Sequence, residues 1–244
     1  MTCTTADQLP ARPSGRGATA IALVLTLVSI ALLGTIATPA HAADDPLLPS
    51  PGVCANDTAS AGPITLQREA AYCLINAVRR NAGVPTLRFC VMSGAQWRCN
   101  FGTGLSTLLV RQRLAEARAL NDGAQYKAAD LMNCTWATPD DRYPTGNPHH
   151  VCGRATNHWP AYFGYPYQVL ENIAGQGGTP TASPMTARAA VDAWLKSTRG
   201  HRENLLSASV RTLGIGVVAG TLQNSFFAPR GWIGNTWAAQ FGVG

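Results

Sequence analysis

Two runs near the C-terminus, TLGIGVVAGTL (212–222) and WIGNTWAAQFGV (232–243), decide the kind of fold that this chain adopts. Both have the apolar, strand-like composition that favours extended backbone. The segment between them, QNSFFAPRG, is long enough for the loop of an antiparallel hairpin. We therefore expect a sheet whose last two strands are consecutive in the chain and antiparallel.

Helical periodicity dominates the chain upstream of this hairpin. Apolar residues recur at three- and four-residue steps over about 66–81 and again over 106–133. The sequence NDG at 121–123 interrupts the second segment, which is then one bent helix or two, because glycine inside a helix costs about 1 kcal/mol relative to alanine. A third helix is expected to start at Ser183, a capping hydroxyl followed by proline. This order of elements indicates an α+β fold in which helices cover an antiparallel sheet.

The first 42 residues have the organisation of a secretory signal peptide. A polar start with two arginines precedes the apolar run 18–39, and Ala40-His41-Ala42 is a small-x-small cleavage pattern. We expect export with cleavage after Ala42; uncleaved, the apolar run is long enough to anchor the chain at the outer face of the membrane. Residues 43–63, rich in Pro, Ser and Asp, are expected to form a linker, and residues 64–244 the folded domain.

Cysteine usage agrees with export, because an even number in an exported chain indicates disulfides. Six cysteines follow the leader: Cys54, Cys73, Cys90, Cys99, Cys134 and Cys152. Six cysteines allow fifteen connectivities. Pairing of sequence neighbours closes three short loops and is the arrangement that we expect. The absence of a CxxC motif gives no support to a zinc ribbon or a thioredoxin-type redox site.

The charge of the chain argues against a nucleic-acid partner. The sequence has 19 Lys+Arg and 13 Asp+Glu, and removing Arg12, Arg16 and Asp7 with the leader leaves 17 against 12. Nearly all of the positive charge is arginine, and the arginines are scattered instead of forming the basic stripe of a nucleic-acid interface. We expect a solvated, mildly basic surface, and a membrane contact only through an uncleaved leader.

Two residues stand out as candidates for chemistry. Glu171 lies between apolar residues in VLENIA (169–174), and burying an unpaired carboxylate is costly, so a partner is expected. His201 follows Gly200 in STRGHRENLL (197–206), where the first turn of a short helix would lower its pKa and favour a neutral imidazole. A neutral imidazole can bind a metal or accept a hydrogen bond. A purely structural role is the alternative, since the histidine spacings match no local zinc motif such as HExxH.

Four stretches in this order resemble the CAP superfamily, which takes in cysteine-rich secretory proteins, antigen 5 and the plant pathogenesis-related class-one proteins. They are CLINAVRRNAGVPTLR (73–88), the ENIA of 171–174, the Trp-bearing AVDAWLKS (190–197), and GHRENLL followed by a closing WAAQFG. The chain is most similar to the bacterial secreted branch, the SCP domain. The resemblance covers about residues 66–243 and implies a three-layer α-β-α sandwich with a central antiparallel sheet.

The resemblance also implies a surface cleft that holds two histidines and acidic residues. His201 in GHR matches the second cleft histidine, and Glu171 in ENIA matches the first cleft glutamate. His149 in NPHHVCGR matches the first histidine, but Asn147-Pro148 replaces the usual FS, which leaves His150 open as the alternative. The set of His149, Glu171 and His201 implies a weak, open site for a divalent metal such as zinc.

Three functions follow from these features. The resemblance implies a secreted, non-enzymatic binding module whose partner is a small apolar ligand, such as a sterol or another lipid, or an extracellular protein. The alternative is a metal-assisted hydrolase or protease with Glu171 as base and His149 and His201 as ligands or as acid and base. The third is a structural cell-envelope domain in which the cluster only stabilises the fold. No GxSxG motif supports a serine nucleophile.

Overall fold

The computed structural model describes residues 44–60, 62–134, 147–178, 183–223, 227 and 229–244. The helices are α1 (Ile64–Asn81), α2 (Thr107–Asn133), α3 (His158–Tyr162), α4 (Ala187–Leu195) and α5 (His201–Leu206). The strands are β1 (Cys90–Ser93), β2 (Gln96–Cys99), β3 (Val169–Gly178), β4 (Val210–Thr221) and β5 (Ile233–Val243), and a 3-10 segment covers Pro148–Gly153. The expected leader, 1–42, lies outside the described residues. Within them, no helix has the length and apolar character needed to cross a membrane.

The central sheet has the strand order β3-β5-β4, and both strand pairs are antiparallel. The expected hairpin is confirmed, because β4 and β5 pair along their whole length. Successive residues of a strand face opposite sides of a sheet. In β5, Trp237, Ala239 and Phe241 enter the larger core, whereas Ala238 enters a smaller one on the other face.

Helices cover both faces of this sheet, so the predicted three-layer α-β-α sandwich is confirmed. Helices α1, α4 and α5 pack on the face that carries Leu213, Ile215 and Val217 of β4. Helix α2 lies on the opposite face, directly over Gly214 and Gly216, where a β-carbon would run into the backbone of α2. The alternation LGIG in β4 therefore has a packing cause: branched side chains fill one core, and glycines admit a helix on the other side.

Helix α2 is a single continuous helix despite the NDG sequence. A β-carbon at Gly123 would lie 2.8 Å from Oε1 of Gln240 and 2.9 Å from the backbone nitrogen of Pro160. The glycine at this position lets α2 approach both β5 and α3, so it marks a close contact and not a break in the helix.

Helix α4 begins later than the capping pattern at Ser183 predicts. Its N-cap is Thr186, whose hydroxyl accepts a hydrogen bond from the backbone N–H of Ala189 at 3.1 Å. The side chain of Asn235 in β5 donates to the carbonyl of Met185 and accepts from its N–H, at 2.8 and 2.9 Å. These tertiary hydrogen bonds hold the backbone before Thr186 against β5 and delay the helix.

Three disulfides join sequence neighbours, as expected: Cys54–Cys73, Cys90–Cys99 and Cys134–Cys152. The second closes a small hairpin, β1–β2, which the sequence indicated only as a disulfide-closed loop. The third ties the C-terminus of α2 to the 3-10 segment that carries His149. One disulfide thus positions part of the candidate site.

Residues 44–60, expected to form a linker, pack against the domain. The guanidinium of Arg188 in α4 pairs with Asp44 at 2.7 Å and with Asp57 at 3.2 Å. Asp45 pairs with Arg202 in α5 at 2.5 Å, and Leu48 is buried in the larger core. We refer to residues 44–60 as the N-terminal strap. Its ion pairs reach α5, the helix that begins with His201.

Candidate ligand-binding cleft

A cleft of about 440 Å³ lies along β3, at the edge of the sheet, where the strand meets the 3-10 segment and α5. Its walls include His149 and His150 from the 3-10 segment, Glu171 from β3, and His201 and Asn204 from α5. The three residues predicted to form a site therefore line one cleft. Their positions are far apart in the chain, and the edge of the sheet brings them together.

Glu171 reaches the cleft because of its register in the sheet. It lies opposite Gln240 of β5, and Nε2 of Gln240 donates a hydrogen bond to its Oε2 at 3.2 Å. Its side chain has no exposed surface. A fully buried carboxylate needs a positive partner or several hydrogen-bond donors.

The positive partner of Glu171 is Lys127 of α2. Its Nζ lies 3.3 Å from Oε1 of Glu171 and donates a hydrogen bond to the carbonyl oxygen of His149 at 2.7 Å. The lysine side chain is only 2% exposed. The sequence contains a pattern that points to Lys127, which the family motifs do not include. Lys127 lies in the apolar stripe of α2, beside Ala124 and Ala128, where a charged side chain would need a partner.

His149 contacts Glu171 directly, since its Nδ1 lies 2.9 Å from Oε1 of the carboxylate. Its backbone N–H is capped by Oδ1 of Asn147 at 2.9 Å, so the NP sequence that replaces FS still fixes the segment. His150 lines the cleft as well, but the ring in contact with the carboxylate is that of His149. With Glu171 ionised, the hydrogen-bond network assigns a proton to Nδ1 of His149, which then donates to the carboxylate.

Glu171 is held as an anion. Burial by itself would raise the pKa of its carboxyl group, but the Lys127 ammonium and the hydrogen bonds from His149 and Gln240 outweigh burial and bring the pKa below its ordinary value. The expectation of a partner for a buried Glu171 is met by this arrangement.

His201 is the first residue of α5, and the helix is fastened to β3 beside the cleft. Asn172 donates to the carbonyl of His201 at 2.8 Å, and Asn204 donates to the carbonyl of Glu171 at 3.2 Å. The ring centroids of His149 and His201 are 5.9 Å apart in an edge-to-face arrangement. In the described part of the chain, the buried Nε2 of His201 has no hydrogen-bond partner.

The imidazole of His201 is neutral at physiological pH. Burial, with a smaller contribution from the neighbouring His149, lowers its pKa to about 4. The neutral form expected from the sequence thus has burial as its main cause, and not the position at the helix terminus.

The cleft residues fit a divalent metal in part. His149 and His201 offer imidazoles of the kind that zinc prefers, but both oxygens of Glu171 already accept hydrogen bonds. A cation at Oε1 would also meet the Lys127 ammonium, which lies 3.3 Å from that oxygen, and the like charges would repel each other. Glu171 therefore does not fit as a third metal ligand.

The distances between ligand atoms agree with this reading. Among the described residues, a single group of three or more His, Cys, Asp or Glu side chains brings its ligand atoms within 4.8 Å of one another: Asp130, Cys134 and Cys152. The two sulfurs of that group form a disulfide and are not available as thiolates. The predicted zinc site at His149, Glu171 and His201 stays a prediction that a zinc titration tests.

A second concavity of about 400 Å³, which we call the hollow, adjoins the cleft. Its walls include the apolar side chains of Ile173, Met185, Trp194 and Phe227. Arg199 and His201 line both the hollow and the cleft. His201 therefore belongs to the walls of both spaces.

The family model described as the cysteine-rich secretory protein family, CAP, matches residues 111–228. The match covers just under half of the chain and confirms its resemblance to the CAP family. The matched part begins in α2 and contains the ENIA, AVDAWLKS and GHRENLL stretches, with His149, Glu171 and His201.

The chain is similar to one solved structure, that of an extracellular protein containing a SCP domain from Bacillus anthracis str. Ames. The two are 18% identical, with a TM-score of 0.42 over 73% of this chain and 40% of that protein. The chain thus spans less than half the length of that protein. No curated protein matches the sequence.

Proposed function

We propose that this chain is an extracellular binding domain whose ligand occupies the cleft and the hollow on the two sides of His201. Three disulfides among the described residues support an oxidising compartment, because such bonds are rare where cellular thiols are kept reduced. The predicted signal peptide supports the same location.

The observation that carries the proposal is the buried Nε2 of His201, which lacks a hydrogen-bond partner within the described residues. Leaving a buried polar atom unpaired costs about 1–3 kcal/mol, so such atoms are rare in folded proteins and call for an explanation. A ligand in the cleft or the hollow, both of which His201 lines, could supply the missing partner.

The lining indicates the chemical character of the ligand. The cleft side offers Asn147, Thr156 and the histidines, and the hollow adds a group of apolar side chains, Ile173, Met185, Trp194 and Phe227. A molecule with a polar end and an apolar body matches this pair of surfaces. This ligand class includes the lipids and sterol derivatives that the family resemblance implies.

The hydrolase alternative has less support from the geometry. Glu171, its expected base, is paired with Lys127 and stabilised as an anion by two further hydrogen bonds, which makes it a weak base. The hydrogen bond from His149 to Glu171 orients an imidazole as in general-base pairs, but a metal-assisted step through Glu171 is not supported.

The test measures binding of palmitate and of a sterol sulfate to the wild type and to two histidine variants by isothermal titration calorimetry. We expect saturable binding to the wild type and about tenfold weaker binding to His201→Ala, the loss of roughly one hydrogen bond. His158→Ala is the matched control, because His158 is exposed on α3 and does not line the cleft or the hollow. Equal affinity of all three proteins for the probes would contradict the proposal.

A further inference from the structure

We propose that Lys127 is an internal cation that takes the place of a divalent metal in this cleft, so that the cleft is complete without one. The inference does not depend on the proposed ligand, because it concerns only the charge at Glu171.

Lys127 connects the same segments that a metal ion held by the predicted ligands would connect. From α2 its Nζ contacts Oε1 of Glu171 on β3 and the carbonyl oxygen of His149 on the 3-10 segment. A metal bound by His149 and Glu171 would join these same two segments. The ammonium does so through a side chain that the sequence itself provides.

Because Lys127 and Glu171 are both buried, the net charge of the pair determines whether a further cation can bind beside them. The Lys127 side chain is 2% exposed and that of Glu171 is not exposed at all. In such surroundings water screens charges weakly, so one positive and one negative charge balance each other and further charge is disfavoured. A divalent cation placed at Glu171 would add two positive charges next to the ammonium.

The carboxylate also has few free acceptor positions. Oε1 accepts from His149 and faces Lys127, and Oε2 accepts from Gln240 of the neighbouring strand. A metal ligand would have to give up at least one of these contacts. Removing the lysine charge leaves the carboxylate buried with a net negative charge. A metal cation can then take the place of the lysine ammonium.

The experiment titrates zinc into the purified chain and follows uptake by equilibrium dialysis and the melting temperature by calorimetry. Wild type is expected to take up no stoichiometric zinc at the cleft, whereas Lys127→Met is expected to bind one equivalent, with at least a tenfold gain in affinity and a melting temperature that zinc raises. Lys196→Met is the matched control, because Lys196 is the other lysine of the chain and forms an exposed pair with Asp192. It should behave as wild type.

A second variant separates metal binding from damage to the fold. Lys127→Met combined with Glu171→Gln removes both charges, so it leaves no unbalanced carboxylate and should bind no zinc. If Lys127→Met does not fold, Lys127→His replaces it, since imidazole is shorter, is mostly uncharged at neutral pH and can itself act as a ligand.

Two results would overturn the inference. One is a wild-type protein that binds one equivalent of zinc and loses it in Glu171→Gln. The other is a folded Lys127 variant that gains no zinc affinity over wild type. Neither result bears on the binding of palmitate or a sterol sulfate, so the failure of this inference and that of the proposed function remain distinct.

Discussion

At the scale of single residues, the cleft depends on charges that are buried and paired. Glu171 is stabilised as an anion by Lys127, and His201 is kept neutral by burial. Both effects make the folded protein bind fewer protons than the unfolded chain in mildly acidic solution. Protonation and stability are therefore linked at this site.

The free energy of unfolding should decrease as the pH is lowered from about 6.5 to about 4. His201 has a folded pKa of about 4 and an ordinary value of 6.5, so in this window the unfolded chain binds a proton that the folded chain does not. The lowered pKa of Glu171 acts in the same direction, because its stabilisation is present above its ordinary value and is lost as pH falls. The expected loss from His201 is about 1–2 kcal/mol, after allowance for its partial exposure.

Urea unfolding at a series of pH values measures how the free energy of unfolding changes with pH. His201→Gln removes the titrating imidazole and should flatten the profile above pH 5, where Glu171 contributes little. A variant with the wild-type slope in that range would show that the pH dependence arises elsewhere.

At the scale of elements, the approach of α2 to the sheet sets the geometry of the site. Gly214 and Gly216 of β4 admit the helix, and Gly123 lets it pass close to Gln240 and Pro160. The same helix carries Lys127 into the cleft. A change in the distance between α2 and the sheet would therefore move Lys127 relative to Glu171.

Gly123→Ala should destabilise the protein by about 1–3 kcal/mol, although alanine is the better helix former by about 1 kcal/mol. The added β-carbon meets the backbone of Pro160, which cannot rotate away, and the side chain of Gln240. The change in the free energy of unfolding measures the effect. Ala129→Gly on the same helix is the control, because it measures the contribution of helix propensity alone to the free energy of unfolding. If Gly123→Ala stabilised the protein instead, α2 would have room to shift.

The sequence predicts the elements better than their contacts. The hairpin β4–β5, the extent of α1 and the neighbour pairing of cysteines follow from local pattern and spacing. The start of α4 does not, because the hydrogen bonds between Asn235 and Met185 override a local cap. The partner of Glu171 was expected but not named, since Lys127 lies on another element and its pairing depends on how that helix packs.

At the scale of the whole molecule, the N-terminal strap belongs to the domain. Its composition resembles that of a linker, yet Asp44 and Asp57 pair with Arg188, and Asp45 pairs with Arg202. The pairing partners lie more than a hundred residues away, which is why composition alone did not predict it. The strap covers α4 and fastens the first turn of α5.

Arg188→Met should lower the free energy of unfolding by about 3 kcal/mol, because Asp57 is 2% exposed and would remain buried without a positively charged partner. Lys196→Met, which removes an exposed pair with Asp192, should cost less than about 1 kcal/mol. Chemical denaturation of both variants gives the comparison, with limited proteolysis of the strap as a second measurement. Equal costs would mean that the strap contributes no more than an ordinary surface pair.

The disulfide between Cys134 and Cys152 makes one wall of the cleft sensitive to the redox state of its surroundings. It fastens the end of α2 to the segment that bears His149, so one wall of the cleft is held by a covalent bond. That bond forms where thiols are oxidised and is not maintained in a reducing cytosol. In a compartment that keeps thiols reduced, this wall of the cleft would therefore lack its covalent attachment to α2.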